Sequence, residues 1–169
     1  MHAPSTNFVG SSICLVAFVA GIAGSSAPPA GTSAAPAATS GAPQANGLEG
    51  AWAAREYVLA SGARHPVRGR IMFTTQDWQV LFFVMDGDEP RRGSGEGGRY
   101  TFDGETLTFE HLHHLSFGRT MEGLPASPLT MTARAGDGPL EPTGVEIVGD
   151  ELTLRFPSGN SMSFLRASR

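Results

Sequence analysis

Apolar and polar residues alternate with a period of two along most of the chain beyond Gly50. In residues 67–74 (VRGRIMFT), Val67, Ile71 and Phe73 share one set of alternate positions, and arginine, methionine and threonine fill the other. This period is typical of a β-strand with one buried face. Similar segments predict about nine strands, at residues 51–59, 67–74, 78–85, 98–103, 107–113, 129–133, 144–148, 152–156 and 161–166.

Short turn sequences separate several of these segments. Asp103-Gly104, Gly149-Asp150 and Ser158-Gly159 each offer the positive-φ positions that tight hairpin turns require. Strands joined in this way form an antiparallel meander. Since no stretch shows a helical period that would cover its apolar face, the meander is expected to close on itself. The predicted fold class is all-β, an antiparallel up-and-down barrel of about eight or nine strands.

Two segments between the strands predict longer connections. Residues 86–97 (DGDEPRRGSGEG) are polar and are expected to form a mobile connection at one barrel end. The G-x-G-x-x-G pattern at 93–98 does not indicate a phosphate loop, because a strand follows it where a helix N-terminus is needed. Residues 116–128 form the longest connection between clear strands, and are expected to be a lid, a plug or a plain packed loop.

The segment 78–85 (WQVLFFVM) is apolar on both faces. One face, with Trp78 and Phe82, is expected to join the core. The other face carries Leu81, Phe83 and Met85, and a loop, the N-terminal tether or a second subunit is expected to cover it. The functional alternative is a patch that binds a partner.

The first 48 residues differ in composition from the rest, because they contain no Asp, Glu, Lys or Arg. Residues 13–23 (ICLVAFVAGIA) are an apolar run of signal-peptide length, so residues 1–27 are expected to be a signal peptide or an N-terminal anchor. Residues 28–47 are rich in Ala, Pro, Ser and Gly and are expected to form a disordered linker. The barrel then comprises residues 48–169, and the expected location is secreted or periplasmic.

Charge narrows the range of partners. The formal net charge is −4, and all 12 basic residues are arginines spread along the chain. No basic run suggests a nucleic-acid footprint, so no nucleic-acid partner is expected. No membrane contact is expected for the mature domain unless the N-terminal segment stays uncleaved. The oligomeric state is left open.

Both ends of the meander resemble a known family. Gly50-Ala51-Trp52 is similar to the G-x-W on the first strand of lipocalin-like, calycin-type barrels, and Arg166 stands where such barrels place an arginine over that tryptophan. The run from GLEGAW to SMSFLR also resembles bacterial lipocalin-like domain proteins, over roughly residues 48–168. The resemblance implies a barrel with an internal cavity, closed by Gly50, Trp52 and Arg166. It implies no catalytic residue.

The segment 110–115 (EHLHHL) holds three of the five histidines. Strict alternation predicts that His111 and His113 share the inward face with Phe109, while His114 points outward. The interpretation that explains the pattern best is that these histidines belong to a half-solvated strand of the barrel wall. The next interpretation is that one of them contacts a ligand inside the cavity. A metal site would need a third ligand, for which Glu56 is the candidate.

These observations lead to three hypotheses. The first is an exported barrel that holds a small apolar molecule in its cavity, lined by Phe73, Trp78, Phe82, Tyr100, Phe109, His111 and His113. The second is a ligand-free structural or partner-binding module whose aromatic side chains fill the barrel. The third is a metal-dependent or cyclase-like enzyme that uses His111 and His113, with Glu56 as the candidate third residue. No nucleophile and base pair is identifiable, and no cofactor or metal is expected.

Overall fold

A computed structural model describes residues 47–167. The described chain is all β-structure, with nine antiparallel strands. In chain order they are β1 (Gly50–Val58), β2 (Arg64–Phe73), β3 (Asp77–Asp86), β4 (Glu89–Phe102), β5 (Thr106–Gly118), β6 (Ser127–Ala133), β7 (Leu140–Val148), β8 (Glu151–Arg155) and β9 (Ser161–Arg166). Eight of these strands close into a barrel and one is additional, which confirms the predicted fold class. The predicted signal segment and linker lie outside the described residues.

Pairing between the first and last strands closes the barrel. The strand order is β4-β3-β2-β1-β9-β8-β7-β5-β6, and β4 also pairs with β5. β5 is long enough to have two partners on one side. Its first half pairs with β7 and its second half with β6, so β6 is the strand outside the eight-stranded ring. No helix in the described part of the chain is long and apolar enough to cross a membrane.

The barrel wall alternates as the sequence predicts, and one face of each strand fills the interior. The largest fully buried side chains include Trp52, Tyr57, Phe109 and Phe164. Hairpin turns use glycine where φ is positive, as at Gly104 (φ 103°) between β4 and β5. Aromatic rings meet across the interior. Trp78 and Phe109, for example, have ring centroids 4.3 Å apart.

The prediction of a mobile loop at residues 86–97 is wrong. Only a short turn follows β3, and the glycine-rich segment forms most of β4, which pairs along its length with both β3 and β5. This part of β4 needs no large apolar side chains of its own, because side chains of the neighbouring strand β3 cover its outer face. Phe83 and Leu81 of β3 lean over the outward glycines of β4, and the inward polar groups of β4 contact one another.

The predicted connection at residues 116–128 is shorter than expected. β5 continues to Gly118 and β6 begins at Ser127, which leaves eight residues between them. A bridge between Met121 and Leu124 folds this loop back on itself, and Leu124 is buried against the core. Phe117, which the prediction placed in the loop, lies on the outer wall of β5 and is 48% exposed.

Candidate functional site

Strand β4 carries polar side chains inward and glycines outward. Arg92, Ser94 and Glu96 are buried, each about 4% exposed, while Gly93 and Gly95 occupy the alternate positions. This arrangement reverses the usual one, in which apolar side chains face a barrel interior. Buried polar groups require partners, so the neighbouring strand has to supply them.

A β-bulge on β5 supplies those partners. Gly97 of β4 pairs with His113 and Gly98 pairs with His111, so Leu112 is an extra residue in the ladder. The extra residue shifts the alternation by one position. His111 and His114 therefore both point inward, whereas His113 is exposed on the outer wall. The prediction that His113 shares the inward face with His111 is wrong for this reason.

Glu96 lies between the two inward histidines. Its Oε2 atom is 3.0 Å from His111 Nδ1, at a poor angle for a hydrogen bond, and its Oε1 atom is 3.6 Å from His114 Nδ1. Ser94 Oγ donates to Oε1 over 2.9 Å. On the far side of His114, Nε2 lies 2.9 Å from Ser116 Oγ. We name these five residues, Ser94, Glu96, His111, His114 and Ser116, the Glu96 cluster.

The cluster favours a charged Glu96. Burial alone would raise the pKa of this carboxyl, but contacts with His111 and His114, and their charges, outweigh burial and lower the pKa to about 2. The same interaction raises the pKa of His114 above its usual value, against the effect of burial. The carboxylate therefore stays ionised at neutral pH and favours the protonated form of the His114 imidazole.

A second buried carboxyl, Glu141 on β7, behaves in the opposite way. Burial raises its pKa to about 8, and the negative charge of Glu96 adds to the shift. The Thr143 hydroxyl donates a long hydrogen bond of 3.4 Å to Glu141, which lowers the pKa but offsets only part of the increase. Glu141 is therefore mostly protonated at pH 7, which avoids a second buried negative charge inside the barrel.

Arg92 lies at the end of the barrel beyond the Glu96 cluster. Its guanidinium donates to the carbonyls of Arg119 (2.7 Å) and Pro125 (2.6 Å) and to the Ser127 hydroxyl (3.2 Å), so it fixes the β5–β6 connection. Burial lowers the pKa of Arg92. Its Nε–H group is buried and has no hydrogen-bond partner within residues 47–167.

The predicted cavity residues, apart from His113, point into the barrel. The six inward residues are Phe73, Trp78, Phe82, Tyr100, Phe109 and His111, each at most 7% exposed. They pack closely, and a central cavity lined by Trp78, Phe82, Phe109 and Glu96 has a volume of only about 20 Å³. A space of this size holds about one water molecule.

The predicted closure residues meet where β1 pairs with β9. Trp52 and Arg166 are Cα partners, and the Arg166 guanidinium lies 4.0 Å from the centroid of the fully buried Trp52 ring. Arg166 also donates to the Glu49 and Gly47 carbonyls. Gly50 has a φ of 118°, and a Cβ atom there would lie 3.6 Å from Arg166 Nη1.

The third ligand proposed for a metal does not reach the histidines. Glu56 faces the surface of β1 and forms an ion pair of 2.5 Å with Arg64. Within residues 47–167, no group of three His, Cys, Asp or Glu side chains has the geometry to hold a metal ion. The hypothesis of a metal-dependent enzyme that uses Glu56 has no support from this geometry.

The outer wall carries a continuous apolar surface from β3 to β6. In one row, Arg70 pairs with Leu81, Leu81 with Gly95, Gly95 with Leu115, and Leu115 with Met131. We name these five residues the outer row. The apolar side chains in it are about half exposed or more, with 52% for Leu81, 46% for Leu115 and 69% for Met131.

A second row runs parallel to the outer row. Arg68 pairs with Phe83, Phe83 with Gly93, and Gly93 with Phe117. Phe83 and Phe117 are 40% and 48% exposed, so the apolar surface is two rows deep. The expectation that another part of the chain covers Leu81 and Phe83 is not met within the described residues, although Met85 is buried.

Sequence reasoning missed most of the Glu96 cluster. Ser94 and Glu96 fell inside a predicted loop, and His114 and Ser116 were placed on the outer face or in a connection. One signal was present in the sequence: Ser94, Glu96 and Tyr100 fall on alternate positions when β4 is extended backwards from the RYTF segment. The bulge at Leu112 left no comparable signal.

Comparisons with known proteins do not identify the family of this chain. No family model, no curated protein and no solved structure matches this chain. The closed antiparallel barrel is consistent with the calycin-type architecture that the sequence resemblance implied. Membership of the lipocalin-like family stays a prediction.

Proposed function

We propose that this barrel binds a small amphiphile, with an apolar tail and a negatively charged head, on the outer wall from β2 to β6. The observation that carries the proposal is the outer row. It begins at an exposed arginine, Arg70, and continues through Leu81, Gly95, Leu115 and Met131 without a charged residue. Exposed apolar surface of this extent on a folded domain is typical of a binding site.

The dimensions of the outer row fit a short acyl chain. Neighbouring strands are about 4.8 Å apart, so the path from Arg70 on β2 to Met131 on β6 covers about 19 Å along the barrel surface. Gly95 has no side chain and forms the low point between Leu81 and Leu115. A tail lying across it would contact both leucines, and each leucine that it covers contributes up to about 1.5–3 kcal/mol.

The charge at one end of the row gives the ligand a direction. Arg70 is exposed and stands beside Leu81, where a carboxylate, sulfate or phosphate head would meet its guanidinium. Arg68 stands at the same end of the second row, although it already pairs with Asp88. An anionic head therefore suits this end better than a cationic one.

The volume of the interior argues against the same ligand binding inside the barrel. Its central cavity of about 20 Å³ holds about one water molecule, whereas a cavity that binds benzene measures about 150 Å³. A ligand inside would have to displace aromatic side chains that are packed against one another. Interior binding, the first hypothesis from the sequence, remains the alternative that the experiment below tests.

Titration of the full chain with dansyl-labelled undecanoic acid tests the proposal. Gly95→Thr adds a β-branched side chain to the low point of the row. A Cβ atom there lies 3.7 Å from Leu81 Cδ1, so the barrel accommodates it. We expect this variant to bind the probe roughly ten-fold more weakly, a loss of about 1.4 kcal/mol.

Gly144→Thr is the matched control, because Gly144 is an outward glycine on β7, away from the outer row. We expect it to bind like the unmodified chain. Arg70→Gln is expected to weaken competition by laurate while competition by dodecanol, which has no charge, stays the same. Equal probe affinity in Gly95→Thr and the unmodified chain, or no binding to either, would overturn the proposal.

A further inference from the structure

Strand β6 lies at the end of the sheet and leaves one of its edges unpaired. In the part of the chain that the structure describes, β6 pairs with β5 and with no other strand. Arg134, directly after β6, donates its backbone N–H to the Leu112 carbonyl of β5 over 2.8 Å. Backbone groups of successive residues point to alternate sides of a strand, so those of Met131 and Ala133 point away from β5. We name this side the free edge of β6.

Most of the free edge carries no feature that discourages another strand from pairing with it. Proteins commonly protect edge strands with charged residues, prolines or bulges. In β6, Pro128 and a shift of register between Ser127 and Thr130 protect only the start of the strand. The remainder, Thr130–Ala133, has β-branched and apolar residues and no charge, and its Met131 side chain is 69% exposed. An uncharged edge of this kind is typical of a strand that pairs with another chain.

The sequence of β6 is nearly symmetric about Met131. The last five residues of the strand read Leu-Thr-Met-Thr-Ala, so similar residues follow the methionine in both directions. When two copies pair antiparallel about a two-fold axis at Met131, Thr130 of one copy lies opposite Thr132 of the other. Leu129 lies opposite Ala133 in the same register. Threonine pairs and apolar pairs directly opposite one another stabilise antiparallel strands.

We propose that the free edge of β6 joins two copies of this chain into a symmetric dimer. Met131 exchanges a pair of backbone hydrogen bonds with its counterpart, because its N–H and C=O both point to this edge. A two-fold axis uses the same surface on both copies, so every contact away from the axis occurs twice. The symmetric sequence favours a second copy over an unrelated peptide, because the chain itself supplies the matching residues.

The nearest charged side chain does not oppose this pairing. Arg134 follows β6, and in this register it lies opposite Pro128 of the other copy. The two Arg134 residues are therefore separated by about 20 Å along the strand pair. Salt largely screens two exposed charges at that separation.

Pairing at the edge leaves the outer wall of both barrels open. Leu115 and Met131 point outward from β5 and β6, so the outer row of one copy continues into the outer row of the other. The dimer rests on backbone groups of the free edge and needs no amphiphile. Its test is therefore independent of the test of amphiphile binding.

Sedimentation velocity of the full chain at a series of concentrations, without any ligand, tests the proposal. We expect a reversible equilibrium between monomer and dimer, because one short strand pair buries less surface than a permanent interface does. The dimer fraction should rise with concentration.

Charge substitutions at Met131 test the register. In the dimer the two Met131 Cα atoms lie about 5.5 Å apart, so Met131→Glu places two carboxylates opposite each other, and Met131→Lys places two ammonium groups there. We expect each variant alone to dimerise roughly five- to ten-fold more weakly than the unmodified chain. An equal mixture of the two variants places opposite charges at the axis and should restore dimers.

Val148→Lys is the matched control, because Val148 is 65% exposed at the end of β7, where it pairs with Glu151 on β8. It should dimerise like the unmodified chain. Met131 is exposed, so its charged variants should keep the fold, and the restored dimer in the mixture shows directly that they do. A monomer at every concentration, equal association of Met131→Glu and the unmodified chain, or a mixture that associates no better than either variant would overturn the proposal.

Discussion

Arg166 is a charged residue held at the seam of the barrel by specific contacts. Its guanidinium lies on the Trp52 ring and donates to two carbonyls of the segment that precedes β1, so it joins the first and last strands. Lysine keeps the charge but loses the planar fork that makes these contacts at once. We expect Arg166→Lys to lower the free energy of unfolding by about 1–2 kcal/mol in urea denaturation.

Arg155→Lys is the comparison for this substitution, because Arg155 forms an exposed ion pair with Glu146. An exposed pair contributes about 0–1 kcal/mol, so the change should be small. Equal effects from the two arginine substitutions would show that Arg166 does not hold the seam.

Trp52→Ala should lower the free energy of unfolding by about 3–5 kcal/mol, because Trp52 is fully buried.

Glu141 and Glu96 predict a stability that peaks between acid and neutral pH. Folded Glu141 keeps its proton up to about pH 8, whereas the unfolded chain loses it near pH 4.5. The folded state binds more protons in that window, so stability falls as pH rises through it, by up to about 1.4 kcal/mol per pH unit. His114, whose pKa is also raised, adds to the loss at the upper end.

Below pH 4.5 the dependence of stability on pH reverses. The pKa of Glu96 in the folded chain is about 2, so the unfolded chain protonates this carboxyl first as the pH falls. Stability should therefore fall again as pH drops from 4.5 toward 2. Urea denaturation across this range, on the unmodified chain and on Glu141→Gln, measures both slopes. The glutamine variant should lose most of the decline between pH 4.5 and 8 and keep the decline in acid; an unchanged upper slope would contradict the assignment.

The histidines show the limit of prediction at the scale of single residues. Alternation correctly placed His111 inside, because the ladder from Leu107 to His111 is regular. It failed for His113 and His114, because one extra residue at Leu112 reverses the faces from that point. A bulge depends on the partner strand, here the close approach of Gly98 to the Glu110 carbonyl, and the sequence of β5 alone does not contain it.

At the scale of the element, β4 depends on where its glycines are. A Cβ atom at Gly98 would lie 1.9 Å from the Glu110 carbonyl oxygen, inside the bulge, so the backbone would have to move. We expect Gly98→Ala to destabilise the barrel by about 1–3 kcal/mol or more.

Gly95→Ala is the control for β4, because a Cβ atom at Gly95 meets only ordinary contacts. Alanine restricts the unfolded chain more than glycine does, so this variant should be neutral or more stable by about 0.5–1 kcal/mol. Urea denaturation of both variants gives the comparison. If the two alanine variants are equally stable, close packing at the bulge is not what requires Gly98.

Elements whose own residues alternate were predictable, and elements completed by their neighbours were not. β2 and β9 were recognised from their alternating apolar residues, and the Gly104 and Gly159 turns fall where the dipeptides indicated. The first half of β4 was missed because its apolar cover comes from Leu81 and Phe83 of another strand. The end of β5 was missed because Ser116 and Gly118 are polar or small on the inward side.

At the scale of the molecule, apolar surface is distributed in an unusual way. Aromatic and aliphatic side chains pack the interior around a buried charged cluster, while leucine, methionine and phenylalanine remain exposed outside on β3, β5 and β6, with the outward glycines of β4 between them. A domain selected only for solubility would place polar residues on the outer row. This distribution leads us to place the binding surface on the outer wall.

Amide chemical shifts of the isotope-labelled full chain, recorded by NMR during titration with laurate, test most directly where the ligand binds. Our account predicts the largest changes at Leu81, Gly95, Leu115 and Met131, with the indole signal of Trp78, inside the barrel, nearly constant. Largest changes at Trp78, Phe82 and Phe109 would place the ligand in the interior, and the absence of any change would exclude amphiphile binding; either result would contradict the account.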